Sequence, residues 1–178
     1  MMNDSSRRHF VTALGATALA LAPTWVQARS SPTRALRFDN LHTNEKLSVE
    51  YFVAGRYLPD ALSAVNHLLR DFRSGDVGTI DPALLDLLHG LAAMTGSQQA
   101  FHVISGYRSP GTNETLRHSS NGVASSSLHL RGQAIDIRLA DVSLATLRDA
   151  ARSMRAGGVG YYAASNFVHV DTGRVRSW

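Results

Sequence analysis

The chain has 178 residues, a formal net charge of +4 at neutral pH and no cysteine. A length of this size favours a single domain, and the absence of cysteine excludes disulfides and thiolate metal sites. Any metal must therefore be held by histidine, aspartate or glutamate. The basic residues are scattered, with no basic run that contains aromatics, so the sequence predicts no nucleic-acid partner.

Residues 1–28 have the pattern of a targeting segment. The paired Arg7 and Arg8 precede an apolar run at 11–22 that is too short to span a bilayer, and residues 26–28 resemble a signal peptidase site. This pattern predicts a twin-arginine signal peptide, and therefore export by the twin-arginine translocase to the periplasm or cell envelope. A core helix and an uncleaved membrane anchor are the alternatives.

The remaining chain predicts a flexible lead-in at 29–34, rich in serine, proline and arginine, followed by one domain at 35–178. Apolar–polar alternation predicts strands at 35–41, 47–53, 101–104, 133–139, 159–162 and 167–171. Apolar spacing and capping residues predict helices that begin at Pro59 and Pro82, a short helix at 112–117, and a long helix from Ser143 to Met154. This order predicts an α+β fold, with helices packed on one side of a small antiparallel sheet.

Polar residues interrupt the apolar pattern of two predicted strands. His129 precedes the strand that contains Asp136, and Gly132 between them permits a tight turn. His169 lies in a later strand and faces the same side as Asp171. A buried aspartate is costly unless a cation pairs with it, so the combination predicts a metal site. Each residue alone has a simpler interpretation, as a hydrogen-bonded structural histidine or as an aspartate paired with a neighbouring arginine.

The pattern around these residues is the most specific in the chain. It reads Ser127-x-His129-x-x-Gly132-x-Ala134-x-Asp136, followed downstream by His169. It resembles the signature of the LAS zinc peptidases, which include D-alanyl-D-alanine carboxypeptidases and cell-wall endopeptidases. Further segments are similar to the YcbK-like branch, exported murein endopeptidases of the fifteenth metallopeptidase family: 105–109, 158–162, 167–173 and 176–178. The resemblance covers essentially all of the domain at 35–178.

The resemblance implies a fold like that of hedgehog and the D-Ala-D-Ala peptidases. It also implies one zinc ion (Zn2+) held by His129, Asp136 and His169, with water in the fourth position, and hydrolysis of peptide bonds in peptidoglycan stem peptides or cross-links. Arg108 matches the family's arginine near the substrate carbonyl, where a guanidinium could stabilise the oxyanion of the transition state. The alternative for Arg108 is a surface turn residue.

One position departs from the family pattern. In the carboxypeptidase branch, a glutamate three residues before the last histidine ligand acts as the base, and Asn166 occupies that position here. An amide cannot take up the proton in this role. Asp171 is the nearest replacement, and it could equally orient a ligand histidine. His118, in the loop before the signature, is a weaker candidate.

Two other functions stay open at this stage. One is a carboxypeptidase that releases a terminal D-amino acid, which a restricted cleft with a carboxylate-binding arginine would favour. The other is a non-catalytic zinc module that binds the cell wall. The sequence specifies neither the bond that is cleaved nor the oligomeric state, and imidazole and carboxylate ligands would also accept other divalent ions.

Overall fold

The computed structural model describes residues 33–119 and 124–178. The predicted signal peptide at 1–28 lies outside these residues, as does most of the predicted lead-in. The first strand already begins at Thr33, so the last two residues of that lead-in belong to a strand. No helix in the described ranges is long and apolar enough to cross a membrane.

The described residues contain both helices and strands, which confirms the α+β class. The strands are β1 (Thr33–Asn40), β2 (Lys46–Val53), β3 (Arg56–Tyr57), β4 (Phe101–Ser105), β5 (Ala134–Arg138), β6 (Gly158–Tyr162), β7 (Phe167–Asp171) and β8 (Arg176–Ser177). The α-helices are α1 (Pro59–Leu68), α2 (Pro82–Thr95), α3 (Pro110–Ser119) and α4 (Leu144–Met154). A short 3-10 helix, Leu128–Arg131, precedes β5.

The strands form one sheet in the order β3-β2-β1-β4-β5-β7-β6-β8. The prediction of a small antiparallel sheet is wrong, because β1 pairs in parallel with β4, and β6 pairs in parallel with β8. Parallel neighbours need a long connection, and α1 and α2 lie in the segment between β1 and β4. The sheet is therefore mixed and has eight strands in the described part of the chain.

The predicted capping residues begin two of the helices. The carboxylate of Asp81 accepts a hydrogen bond from the amide of Ala83 at 2.9 Å, and α2 ends at Gly96, whose φ is +69°. The hydroxyl of Ser143 accepts from the amide of Thr146 at 3.1 Å at the start of α4. Each cap satisfies an amide that has no partner inside its helix.

The hydrophobic core lies on one face of the sheet, where residues of α1, α2 and α4 pack against the strands. The almost fully buried strand residues of this face include Phe38, Phe101, Val103, Ile135, Ile137, Val168 and Val170. Because side chains alternate along a strand, the residues between these ones point to the opposite face. The polar residues of β5 and β7 are therefore brought together on that opposite face.

Candidate metal centre

Three potential ligands converge on the polar face of the sheet. Asp136 in β5 and His169 in β7 are direct partners in adjacent antiparallel strands. His129 comes from the 3-10 helix that precedes β5. All three are buried, with 3% of His129, 6% of Asp136 and 8% of His169 exposed.

Gly132 makes the approach of His129 possible. It ends the 3-10 helix in the left-handed conformation, with φ of +63°. A Cβ atom at this position would lie 2.0 Å from the carbonyl oxygen of Thr79. A side chain is therefore excluded twice, by the backbone conformation and by this contact, in agreement with the predicted role of this glycine.

The distances between the three facing atoms fit a single metal ion. His129 Nε2 lies 3.2 Å from His169 Nδ1 and 3.4 Å from Asp136 Oδ1, and His169 Nδ1 lies 2.8 Å from Asp136 Oδ1. Ligands about 2.0–2.1 Å from a tetrahedral zinc are separated by about 3.3 Å. Within the described residues, these three form the one group of this kind that could hold a metal.

The second nitrogen of each histidine is held by an acceptor. His129 Nδ1 lies 2.7 Å from the carbonyl oxygen of Gly106, and His169 Nε2 lies 3.1 Å from Asp171 Oδ2. A carbonyl and a carboxylate can only accept, so these two nitrogens would carry the protons when each ring is neutral and its other nitrogen binds a metal. In the neutral rings, the lone pairs are then on His129 Nε2 and His169 Nδ1, which point at Asp136. The tautomers are those that a metal requires.

Asp171 is enclosed by donors. Arg176 donates to both of its carboxylate oxygens, at 3.1 and 2.7 Å, and the amides of Gly158 and Gly173 each donate to Oδ1 at 2.9 Å. Burial alone raises the pKa of Asp171, but the bonds to His169 and these donors together lower that pKa far below its usual value. The group is fully buried, so it is poorly suited to collect a proton from substrate or water and well suited to orient His169.

Arg108 lies beside the three ligands. Its amide donates to the carbonyl of His129 at 3.1 Å, its Nη1 donates to Asn113 at 3.3 Å, and its buried Nε has no hydrogen-bond partner among the described residues. Burial lowers the pKa of Arg108, and the charge of Asp136 opposes that shift. Arg108 and the three ligands together line a cleft of about 290 Å³.

The loop that carries Arg108 is anchored by a buried carboxylate that the sequence did not single out. Asp71 accepts from the amides of Ser109 and Arg73 at 2.9 and 3.0 Å. Although burial alone raises the pKa of Asp71, hydrogen bonds from Thr112, Ser109 and Arg73 lower it to about 2. Asp71 therefore fixes the backbone next to Arg108 as an ionised group.

Comparison with known proteins agrees with this geometry. A sequence profile of the family described as peptidoglycan L,D-endopeptidase MepK matches residues 28–178. The chain belongs to this peptidase family.

Individual members of the family match over almost their whole length. The peptidoglycan L,D-endopeptidase MepK of Escherichia coli strain K12 is 44% identical over 179 residues, which cover 98% of each chain. The protein of the same name from Shigella flexneri gives the same values. The probable peptidoglycan L,D-endopeptidase MepK of Haemophilus influenzae is 42% identical over 180 residues, covering 98% of this chain and 96% of its own. The predicted resemblance to murein endopeptidases is thus confirmed.

Asn166, at the position of the family's base, and His118, the weaker candidate for that role, both lie away from the ligands. Asn166 is exposed in the turn between β6 and β7, where its φ is +55°. Its backbone N–H donates to the carbonyl oxygen of Ala163 at 3.2 Å. Asparagine tolerates this left-handed conformation better than most residues. His118 is exposed near the end of α3, 2.9 Å from Glu114. Neither residue lines the cleft of this MepK-family protein.

Other residues of the cleft were not identified from the sequence. The carbonyl of Gly106 contacts His129 directly, whereas Arg176 acts on His169 through Asp171, and no local pattern marks such roles. Tyr162 and Trp178 also line the cleft. The alternation of β6 does contain a signal, because Gly160 is the partner of His169 and Tyr162 therefore faces the same side.

Proposed function

We propose that this protein is a zinc-dependent peptidoglycan L,D-endopeptidase that remodels the cell wall. The observation that carries the proposal is the convergence of three buried ligand atoms in a chain that belongs to the MepK family. Zinc is favoured over other ions because two imidazoles and one carboxylate, at separations of 2.8–3.4 Å, suit a tetrahedral ion. The three relatives named above carry L,D-endopeptidase in their names, one of them as a probable enzyme, and this supports the choice of substrate.

The proposed ligands are His129, Asp136 and His169. A zinc ion bound there would polarise a peptide carbonyl. It would also lower the pKa of a water molecule, so that this water could lose a proton and attack the carbonyl at neutral pH. The chain holds these ligands through partners of its own, since Gly106 fixes the ring of His129 and Asp171 fixes the ring of His169.

The roles proposed for the remaining polar residues follow from their contacts. The guanidinium of Arg108 lines the cleft beside the three ligands and would stabilise the negative charge that develops on the carbonyl oxygen. Asp171 is a positioning residue and not the base, since Arg176 and two amides occupy its oxygens. Among the described residues that line the cleft, Asp136 is the one carboxylate. We therefore assign no side chain as the general base.

The place of action proposed for this enzyme is the periplasm or cell envelope. Residues 1–28 contain the paired arginines, the apolar run and the small residues of a twin-arginine signal. Peptidoglycan lies in the same compartment. A fusion of residues 1–40 to a reporter that is active only after export would test the route. Replacing Arg7 and Arg8 with lysine should abolish the activity of the reporter.

The activity is tested with the purified full chain and muropeptides that contain cross-linked dimers. We expect zinc-loaded protein to convert dimers to monomers, a chelator to stop the reaction, and added zinc to restore it, with products identified by mass. Loss of a single terminal residue would instead indicate a carboxypeptidase. Binding to sacculi with no new peptide ends would indicate a non-catalytic module, and the proposal would be wrong.

A further inference from the structure

Two aromatic side chains form the wall of the cleft on the side away from Arg108. In the sheet order, β4 leads to Arg108 on one side of the β5–β7 pair, and β6 and β8 lie on the other side. Tyr162 ends β6 and Trp178 follows β8, and both line the cleft together with the three proposed ligands. They remain partly exposed, at 36% for Tyr162 and 48% for Trp178. A bound peptide would therefore contact them.

Gly160 allows the two rings to lie directly beside the proposed metal ligands. It is the strand partner of His169 and faces the same side of the sheet. A Cβ atom at Gly160 would lie 2.8 Å from ring carbons of both Tyr162 and Trp178, so the two rings cover this glycine. The ring of Trp178 lies 5.3 Å from the ring of His169, measured between centroids.

The hydroxyl of Tyr162 is oriented by its neighbours. The indole Nε1 of Trp178 donates to the Tyr162 oxygen at 2.8 Å, and Phe167 stacks on the Tyr162 ring at 4.5 Å. An indole N–H can only donate, so the tyrosine oxygen accepts and its own proton stays available. Tyr162 is thus held as a hydrogen-bond donor at the edge of the cleft.

We propose that Tyr162 is a further catalytic residue, whose hydroxyl donates a hydrogen bond to the carbonyl oxygen of the peptide bond being cleaved. Trp178 is the residue that positions it. The proposal rests on the proposed function, because it concerns the same cleft. Preformed donors stabilise charge that develops on an oxygen without reorganising during the reaction. Arg108 and Tyr162 would supply such donors from opposite sides of the ligand group.

The first test compares Tyr162→Phe with the unmodified full chain, both loaded with zinc, on a cross-linked muropeptide. The substitution removes only the hydroxyl, so we expect kcat to fall about 100-fold, as for the loss of one oxyanion donor. KM and zinc content should stay unchanged. Tyr161→Phe is the matched control, since Tyr161 belongs to the core side and lies under Arg148, 4.6 Å from the ring centre. Equal kcat values for Tyr162→Phe and Tyr161→Phe would overturn the proposal.

The second test separates the positioning role of Trp178 from a structural one. Trp178→Phe keeps a ring over Gly160 but removes the indole donor, so kcat should fall by about 10-fold, the loss of one hydrogen bond. If Trp178 acts through Tyr162, the double variant should be no slower than Tyr162→Phe alone. Losses that simply multiply would show that the indole does not act through the tyrosine.

The third test does not depend on turnover and so separates this proposal from the proposed function. Calorimetry would compare the binding of a peptide and of its phosphinic analogue, which mimics the tetrahedral state, to zinc-loaded protein. Tyr162→Phe should weaken binding of the analogue about 10-fold, as for one hydrogen bond to a charged group, and leave binding of the peptide unchanged. Equal weakening of both compounds, or of neither, would overturn the role of Tyr162 even in a protein that cleaves nothing.

Discussion

The two faces of β5 and β7 are both largely buried but are stabilised in different ways. On one face, Ile135 and Ile137 are fully buried in the hydrophobic core. On the other face, Asp136 and His169 are only 6% and 8% exposed, yet they contact polar atoms. Burial of the first face stabilises the folded state because apolar side chains leave water. Burial of the second face would destabilise it if the hydrogen bonds of its polar groups were not made.

This difference shows how an ordinary sheet positions a chemical site. The apolar face fixes the strand register, since a shift by one residue would expose Ile135 and Ile137 and bury their polar neighbours in the core. The pairing of Asp136 with His169 is then a consequence of packing on the other side. Substitutions on the polar face should therefore affect metal binding and activity, whereas substitutions on the apolar face should affect the free energy of unfolding.

The largest effect is expected for His169→Ala on the polar face. It removes one of three proposed ligands, so activity on muropeptides should fall by more than about 100-fold, the upper range for residues that only orient a ligand. Zinc bound per protein, measured by atomic absorption, should fall with it. His118→Ala is the control, because His118 is exposed and away from the cleft. Full activity of His169→Ala would disprove the ligand assignment.

On the apolar face, Ile137→Ala should lower the free energy of unfolding by about 3 kcal/mol, because it leaves a cavity in a packed core. Urea denaturation would measure the change, and Val175→Ala, at a position that is 56% exposed, is the control. Zinc affinity per folded molecule should stay the same. A large loss of zinc affinity would mean that the two faces are not separable.

Asp171→Asn tests whether Asp171 orients the proposed ligand His169. We expect zinc affinity to fall about 10- to 100-fold, because the group that orients His169 loses its charge. Competition with a chromophoric chelator would measure it, with Asp149→Asn as an exposed control. Unchanged affinity would argue against the positioning role of Asp171.

Asp71 is a buried carboxylate away from the ligands, and its contribution to stability should depend on pH. Its pKa is lowered from 3.8 to about 2, so its stabilising effect is present above its ordinary pKa and is lost as the pH falls. Relative to Asp71→Asn, the unmodified chain should lose about 2 kcal/mol of unfolding free energy between about pH 5 and pH 2. Denaturation curves at several pH values would show this. A constant difference between the two proteins would contradict it.

Local patterns predicted the parts of the molecule that depend on neighbouring residues. Alternation along β5 and β7 placed Asp136 and His169 on one face, and the capping roles of Asp81 and Ser143 follow from residues two and three positions away. The parallel pairing of β1 with β4 joins Phe38 to Phe101, and no local pattern encodes a contact across that separation.

Apart from Asp171, whose orienting role was one of the two predicted for it, the supporting groups of the site were missed for a similar reason. A backbone carbonyl such as that of Gly106 exists at every residue, so sequence cannot mark the one that holds His129. Asp71 is 38 positions from Ser109, its partner in the loop that carries Arg108. The residues that would bind the metal are histidines and an aspartate in a specific spacing, which the sequence displays. The groups that hold them in place have no such pattern.

The hydrogen bonds that the two histidines donate to Gly106 and Asp171 have a consequence for metal supply. Both rings are held by the protein itself, so binding an ion need not be coupled to folding, as it is in domains whose ligands are disordered without metal. The ion could then leave and return while the chain stays folded. Occupancy of the proposed zinc site would follow the concentration of free zinc around the enzyme. A shortage of zinc would then reversibly remove activity while the chain stays folded.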